Sequence, residues 1–359
     1  MIKEKEIIKK VEIRLKDVLS EVPNISVKEI RISPKISPTF FPDLSLEIIF
    51  NNKRKTIIVE IKSVGEPRYI RSAVQQIAAY LNAKEDAYGI IAAPYISEKT
   101  GAICEEANIG YIDLSGNCFI SFDTIYIKKE NYKSIYSEKR ELKSLFPKKT
   151  TRLLRILLCN SEKTYTQLSL SKESNVSIGL TNRAVKKLYN QEYIDYDQNK
   201  RISLKNPSKL LDLWRENYSY KDNNAQGFYS SLRREQFESR LISYMSKNKQ
   251  DRYAFTLFSG ATLVAPFVRS DQTFFYFSGD YKNLKNEVEI KPVSSGANIV
   301  IHDPYDDGVF YGIQKIQRRN TVSTIQLYLD LYNYKGRGRE QAEYLRERAI
   351  KFWPEKAEV

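Results

Sequence analysis

Asp43, Glu60 and Lys62 are the residues of this chain whose types and spacing best suit chemistry. Two acids with a lysine beside the second can hold Mg²⁺ through oxygens and set an ammonium against a phosphodiester. The run Thr56-Ile57-Ile58-Val59, just before Glu60, reads as a strand buried on both faces. Side chains two apart on a strand share a face, so Glu60 and Lys62 project together. Charges emerging from an apolar strand are rarely buried unless paired or bound to a metal. The Ile61 carbonyl between them supplies a third oxygen.

Composition narrows the chemistry. The 359 residues include a single histidine, His302, and three cysteines, Cys104, Cys118 and Cys159, without CxxC spacing. A Ser-His or Cys-His nucleophile and a multi-histidine metal site are thereby excluded, leaving carboxylates, lysine and a hard cation. His302 reads as a turn residue beside Asp303-Pro304. The cysteine pattern suits a reducing compartment, and no segment is apolar enough to span a membrane, so a cytoplasmic protein is expected. Net charge is +14, and residues 146–220 hold 14 basic against 7 acidic side chains. A twofold basic excess in a short segment suits a polyanion-binding face.

The elements that must position these residues follow from periodicity. Residues 3–22 read as an amphipathic helix carrying Glu12, and strands follow at 26–33, 44–50 and 56–64. A helix at 68–83, a strand Ala87–Ala93, a helix at 97–107 and strands Gly110–Leu114 and Cys118–Ile127 complete an α/β sandwich over 1–130. Asp113, before the turn Ser115-Gly116-Asn117, could face the same cleft. A charged helical connector spans 131–147. Over 148–220 come three helices, a β-hairpin and a helix from Pro207. Thr166 is an N-cap, and Asn175-Val176-Ser177 opens the third helix. That helix should bury Leu180, Ala184, Val185 and Leu188 and expose Thr181, Asn182, Arg183, Lys186 and Lys187. Lys200 and Arg201 occupy the hairpin. Residues 221–359 mix a helix at 230–247, short strands (Ala254–Phe258, Thr273–Phe277, Val288–Pro292, Ile299–Ile301, Val309–Tyr311) and helices at 322–333 and 339–352. Asp303, Asp306 and Asp307 read as an exposed loop with metal binding as the alternative. Arg337 and Arg339 flank Gly338, as a solvated loop or a phosphate catch.

Residues 1–127 resemble the PD-(D/E)xK nuclease superfamily. Pro42-Asp43 matches its first acid, and Glu60-Ile61-Lys62 its E-x-K. Gln76 and Tyr80 match the Q-x-x-x-Y pair of the RecB-like branch, on one helical face. The resemblance implies a restriction-endonuclease-like fold, catalytic roles for Asp43, Glu60, Lys62, Gln76 and Tyr80, and Mg²⁺ or Mn²⁺ on Asp43, Glu60 and Ile61. Glu12 would be the extra acid of some members. Residues 148–220 fit a winged helix-turn-helix. There Asn182 and Arg183 could read bases, with Thr181 beside them, while Lys186, Lys187, Lys200 and Arg201 hold phosphates.

Residues 148 to about 350 resemble the AbiEi-type antitoxins of type IV toxin–antitoxin systems, which are transcriptional regulators. The likeness lies in Val176-Ser177-Ile178-Gly179-Leu180-Thr181, Pro207 to Trp214, Phe258-Ser259-Gly260-Ala261-Thr262, Gln326 to Leu331 and Gly336-Arg337-Gly338. It implies an operator-binding winged helix and a nucleotidyltransferase-like α+β domain over 221–359. No Gly-Ser followed by Asp-x-Asp is present, so nucleotide transfer is not expected. The expectation is a multidomain chain of α/β and α+β type that binds double-stranded DNA, in phage or mobile-element defence. Either a winged helix directs a Mg²⁺-dependent nuclease, or the chain is a non-catalytic regulator and antitoxin. A cognate toxin or defence-system protein is the implied partner, and a homodimer is compatible with both.

Overall fold

The computed structural model describes residues 4–35, 41–82, 84, 86–135, 145–220 and 223–352. It is a mixed α/β, multidomain chain with two seven-stranded sheets. Two compact units divide it: residues 1–142 with 187–192, and residues 143–186 with 193–359.

In the first unit, helix α1 (Glu4–Ser20) precedes strands β1 (Ile25–Ile32), β2 (Leu44–Phe50) and β3 (Lys53–Ile61). Then come α2 (Pro67–Leu81), β4 (Ala87–Ala93), α3 (Glu98–Glu106), β5 (Gly110–Asp113), β6 (Cys118–Phe122) and β7 (Ile125–Lys129). The strands lie in chain order, with β3, β4 and β5 parallel and the outer pairs antiparallel. Alternation along β3 sends Ile57, Val59 and Ile61 to a core shared with Val11, Leu15 and Leu19 of α1. Ile58 goes to the opposite core, with Ile70, Ala73 and Ile77 of α2 and Cys104 of α3. Helices therefore cover both faces, and the central strands are apolar on each. The expected single strand Cys118–Ile127 is two strands, because Asp123 takes a left-handed turn (φ 51°). Residues 131–135 of the expected helical connector are not helical, and 136–144 lie outside the described residues.

In the second unit, α4 (Lys148–Cys159), α5 (Gln167–Ser174) and α6 (Ile178–Asn190, its residues 187–190 counted with the first unit) lead into the hairpin β8 (Ile194–Tyr196) and β9 (Ile202–Leu204). Thr166 caps α5 through its hydroxyl, which accepts from Ser169 N at 3.0 Å. Asn175 turns the chain in left-handed conformation (φ 51°) toward α6. After α7 (Pro207–Asn217) come β10 (Asn224–Tyr229), α8 (Arg234–Lys247), β11 (Arg252–Phe255), α9 (Leu257–Val264) and β12 (Thr273–Ser278). The chain continues through α10 (Tyr281–Glu287), β13 (Lys291–Pro292), β14 (Ile299–Asp303), β15 (Gln314–Ile316) and β16 (Arg319–Thr321), and ends with α11 (Thr324–Tyr332) and α12 (Gly338–Ala349). Seven of these strands form one mixed sheet in the order β13-β10-β14-β12-β11-β16-β15.

Here periodicity misled at short elements. Leu257–Val264 is a helix where a strand was expected to run on to Phe258, and Tyr281–Glu287 is a helix before the shorter strand β13. Val309–Tyr311 is no strand: Asp307–Phe310 forms a 3₁₀ turn capped by Asp306. Runs of aromatic residues suit a buried strand and a buried helix equally. His302 is no turn residue either: it lies within β14, fully buried.

Candidate functional site

The antiparallel ladder of β2 and β3 ends at the pair Leu44–Val59, with Asp43 just before β2 and Glu60 the next residue along β3. Asp43 Oδ2 accepts from the Ile61 backbone N–H at 2.6 Å. Leu44 and Leu46 belong to the α1-side core, as do Val59 and Ile61. Glu60, one residue out of phase with Val59 and Ile61, therefore faces the α2 side of the sheet. Lys62 Nζ donates to Glu60 Oε1 at 2.8 Å, and both side chains are mostly buried. Asp43, through the Ile61 N–H, and the Glu60–Lys62 pair thus both lie at the carboxyl end of β3.

The donor set suits Mg²⁺. That ion is usually held by one or two carboxylates and keeps several waters for exchange with phosphate oxygens. The oxygens that would hold it here are those of Asp43, Glu60 and the Ile61 carbonyl. A cage of three or more His, Cys, Asp or Glu residues is absent among the described residues.

The other expected contributors lie on α1, α2 and β5. Glu12 sits on α1, whose apolar residues pack in the core of Val59 and Ile61, and pairs with Lys16 at 2.7 Å. Gln76 is exposed on α2, while Tyr80 is half-buried against the core of Ile58, Ile77 and Ile91. Asp113 is on the α2 side but fully buried and committed. It accepts from Ser115 N (2.8 Å), Gly116 N (2.8 Å), Asn117 N (2.9 Å), Asn117 Nδ2 (2.7 Å) and Ile96 N (3.1 Å). Burial nonetheless raises its pKa. Gly116 completes that turn at φ 123°, where an added Cβ would strike the Tyr132 ring at 2.8 Å. Asp113 builds a turn and has no oxygen to spare for a cleft.

On α6, Asn182, Arg183 and Lys186 are exposed as expected, whereas Ala184, Val185 and Leu188 are buried. Thr181 is not on the open face: it is fully buried, its hydroxyl donating to Ser177 O at 3.1 Å. A threonine hydroxyl satisfied four residues back along a helix can be buried at little cost. Lys187 is half-buried and Leu180 only partly covered. Lys200 and Arg201 are exposed on the hairpin, Lys200 with φ 55°.

The acidic loop of the second unit holds no metal cluster. Asp306 takes Arg152 in a bidentate pair at 2.7 and 2.8 Å, Asp307 pairs with Arg252, and Asp303 accepts from Asn224 at 3.0 Å. Arg337 pairs with Glu340 at 2.8 Å.

A buried polar network went unread in the sequence. Arg155 of α4 is fully buried, donates to Gln326 Oε1 at 2.6 Å and Tyr305 hydroxyl at 2.7 Å, and lies 5.0 Å from the Trp214 ring. Gln326 Nε2 donates to Asp330 at 2.8 Å, and Asp330 also accepts from Thr256, Tyr218 and Tyr276. Its signal was an arginine inside Leu153-Leu154-Arg155-Ile156-Leu157 and an acid four residues after Gln326 on an apolar helix.

Burial pushes Asp330 up to about 6, against the pull of its donors. Burial pushes His302 down to about 4, and Tyr220 hydroxyl lies 2.9 Å from its Nε2. The two act on stability with opposite sign. An acid raised above its unfolded value of about 3.9 stabilises below that pH, and the gain is lost as pH rises to about 6. A histidine lowered below about 6.5 stabilises above that pH, and the gain is lost as pH falls toward about 4. Each is on the order of 3 kcal/mol, so they largely offset one another. In urea denaturation, Asp330→Asn should gain stability relative to the parent between pH 4 and 7. His302→Asn should gain relative to the parent as pH falls over the same range. Parallel pH profiles for parent and variants would contradict this.

Residues 203–351 match the family described as transcriptional regulator, AbiEi antitoxin, type IV TA system. Among solved structures, one titled "Structure of EndoMS in apo form" matches at 12% identity over 28% of this chain and 45% of that chain, with a TM-score of 0.20. A likeness of that size bears on neither fold nor function. No curated protein matches. Among the described residues no helix is long and apolar enough to cross a membrane. From within β9 through α12, residues 203–351 are the part of this chain that carries the likeness to AbiEi antitoxins.

Proposed function

We propose that this protein docks on double-stranded DNA through a winged helix formed by α4 to β9 and cleaves phosphodiesters at Asp43, Glu60 and Lys62. The observation that supports the catalytic part is that Asp43 accepts from the backbone N–H of Ile61 at 2.6 Å, the residue between Glu60 and Lys62, whose side chains lie 2.8 Å apart. Asp43, Glu60 and the Ile61 carbonyl hold the divalent ion. When bound, Mg²⁺ supplies acidification of a water and charge neutralisation at the phosphate. Lys62, freed from Glu60, sets its ammonium against the phosphate oxygen that gains charge. Asp43 is oriented by the Ile61 N–H, so its carboxylate is in place beforehand. Incubating the full chain with supercoiled plasmid in Mg²⁺ or Mn²⁺ tests this. Nicked or linear product is expected, and intact plasmid under both ions would overturn the catalytic part.

The second reading is a non-catalytic regulator and antitoxin with a partner toxin, favoured by the match over residues 203–351. Both readings need the DNA-facing helix. Arg183→Ala should cost about 1–3 kcal/mol at one base position and relax sequence choice there. Lys186→Ala should weaken all duplexes evenly and lower the salt slope by about one. Fluorescence anisotropy on selected operators at several salt concentrations separates the two, and unchanged affinity in both variants would remove α6 from the interface.

A further inference from the structure

A groove of about 660 Å³ opens on the sheet of the second unit. Its floor is the rung of β10 and β14 that pairs Gly227 with Val300, beside Ala225. The floor is recessed because Gly227 and Ala225 carry almost no side chain, while Phe228 and Ile299 point to the other face and fill the core there. Two rings form one wall. Tyr220 and Tyr334 stand at 90° with centroids 5.2 Å apart. Tyr334 packs edge-on against Phe258 and Phe274, and the Tyr220 hydroxyl is held by His302, so the corner is rigid. Gln272 fixes its amide by donating to Ala297 O at 2.6 Å. Lys335 lies exposed on the rim, and none of the described residues lining the groove is a carboxylate.

A preformed recess with apolar and aromatic walls and a few placed polar groups is the usual make-up of a small-molecule site. Flat rings pack on aromatic side chains whatever their substituents. The cation on the rim selects for a negative charge at one end of the ligand. We propose that this groove binds a planar aromatic anion of mononucleotide size, its ring at the Tyr220–Tyr334 corner and its charge at Lys335. The site is independent of the acids in the first unit.

Titration calorimetry of the full chain with AMP, GMP and indole-3-acetate tests it, since a nucleotide and an aromatic carboxylate both present this chemistry. Saturable binding of one molecule per chain is expected, with Kd on the order of 10 µM for the better source. Response to the nucleotides alone names a phosphate ligand; response to indole-3-acetate alone names a carboxylate. Lys335→Glu, on an exposed side chain that folding does not need, should weaken binding about tenfold. Ala225→Leu, filling the floor, should weaken it at least about tenfold with the melting temperature unchanged. Absence of binding by all three probes at millimolar concentration, or binding indifferent to both substitutions, would overturn the proposal.

Discussion

Glu60→Gln should lower Mg²⁺-dependent DNA cleavage on the order of a thousandfold while leaving the chain folded. The substitution keeps the shape of the side chain and its contact with Lys62, but removes the charge that draws a divalent ion. Electrostatic stabilisation by a bound metal contributes several kcal/mol to the barrier, and each 1.4 kcal/mol is about tenfold in rate. Asp43→Asn should do the same from the residue before β2, because its carboxylate is held on the Ile61 N–H, next to Glu60. Lys62→Ala should lose activity yet still bind metal, since the amine acts on the phosphate and not on the ion. Initial rates on plasmid, alongside circular dichroism, check all three. Cleavage retained in Glu60→Gln would show that the nuclease activity resides elsewhere.

Arg155→Ala should destabilise the second unit by about 3–5 kcal/mol. The guanidinium is fully buried and reaches Asp330 through the Gln326 amide, not by direct contact. Breaking such an arrangement on one side leaves the other charge buried and uncompensated. Replacing both ends by neutral groups of similar volume removes that penalty, so Arg155→Met with Asp330→Asn should recover much of the loss. The interaction energy between the two sites should reach about 1–3 kcal/mol in a double-mutant cycle. Urea denaturation gives the comparison. Additive single effects would show that the relay through Gln326 carries no coupling.

Legibility in the sequence tracked the length and contrast of each pattern. The strands Ala87–Ala93 and Lys53–Ile61 were legible because a short apolar run bounded by polar or turn residues has few other solutions. The cap at Thr166 and the turn at Asn175 were legible from local hydrogen-bonding chemistry. Thr181 was misplaced because a hydroxyl that bonds its own helix is as comfortable inside as outside. His302 and the Arg155–Gln326–Asp330 network were not legible. Their partners, Tyr220, Tyr218 and Tyr305, come from segments far apart in the chain, and only tertiary packing brings them together.

The most direct measurement is Mn²⁺ binding by the full chain, followed by electron paramagnetic resonance. One tightly held ion per chain is expected in the parent and none in the Asp43→Asn, Glu60→Gln double variant. Equal binding by parent and double variant, or none by the parent at millimolar Mn²⁺, would contradict a metal site at these two carboxylates.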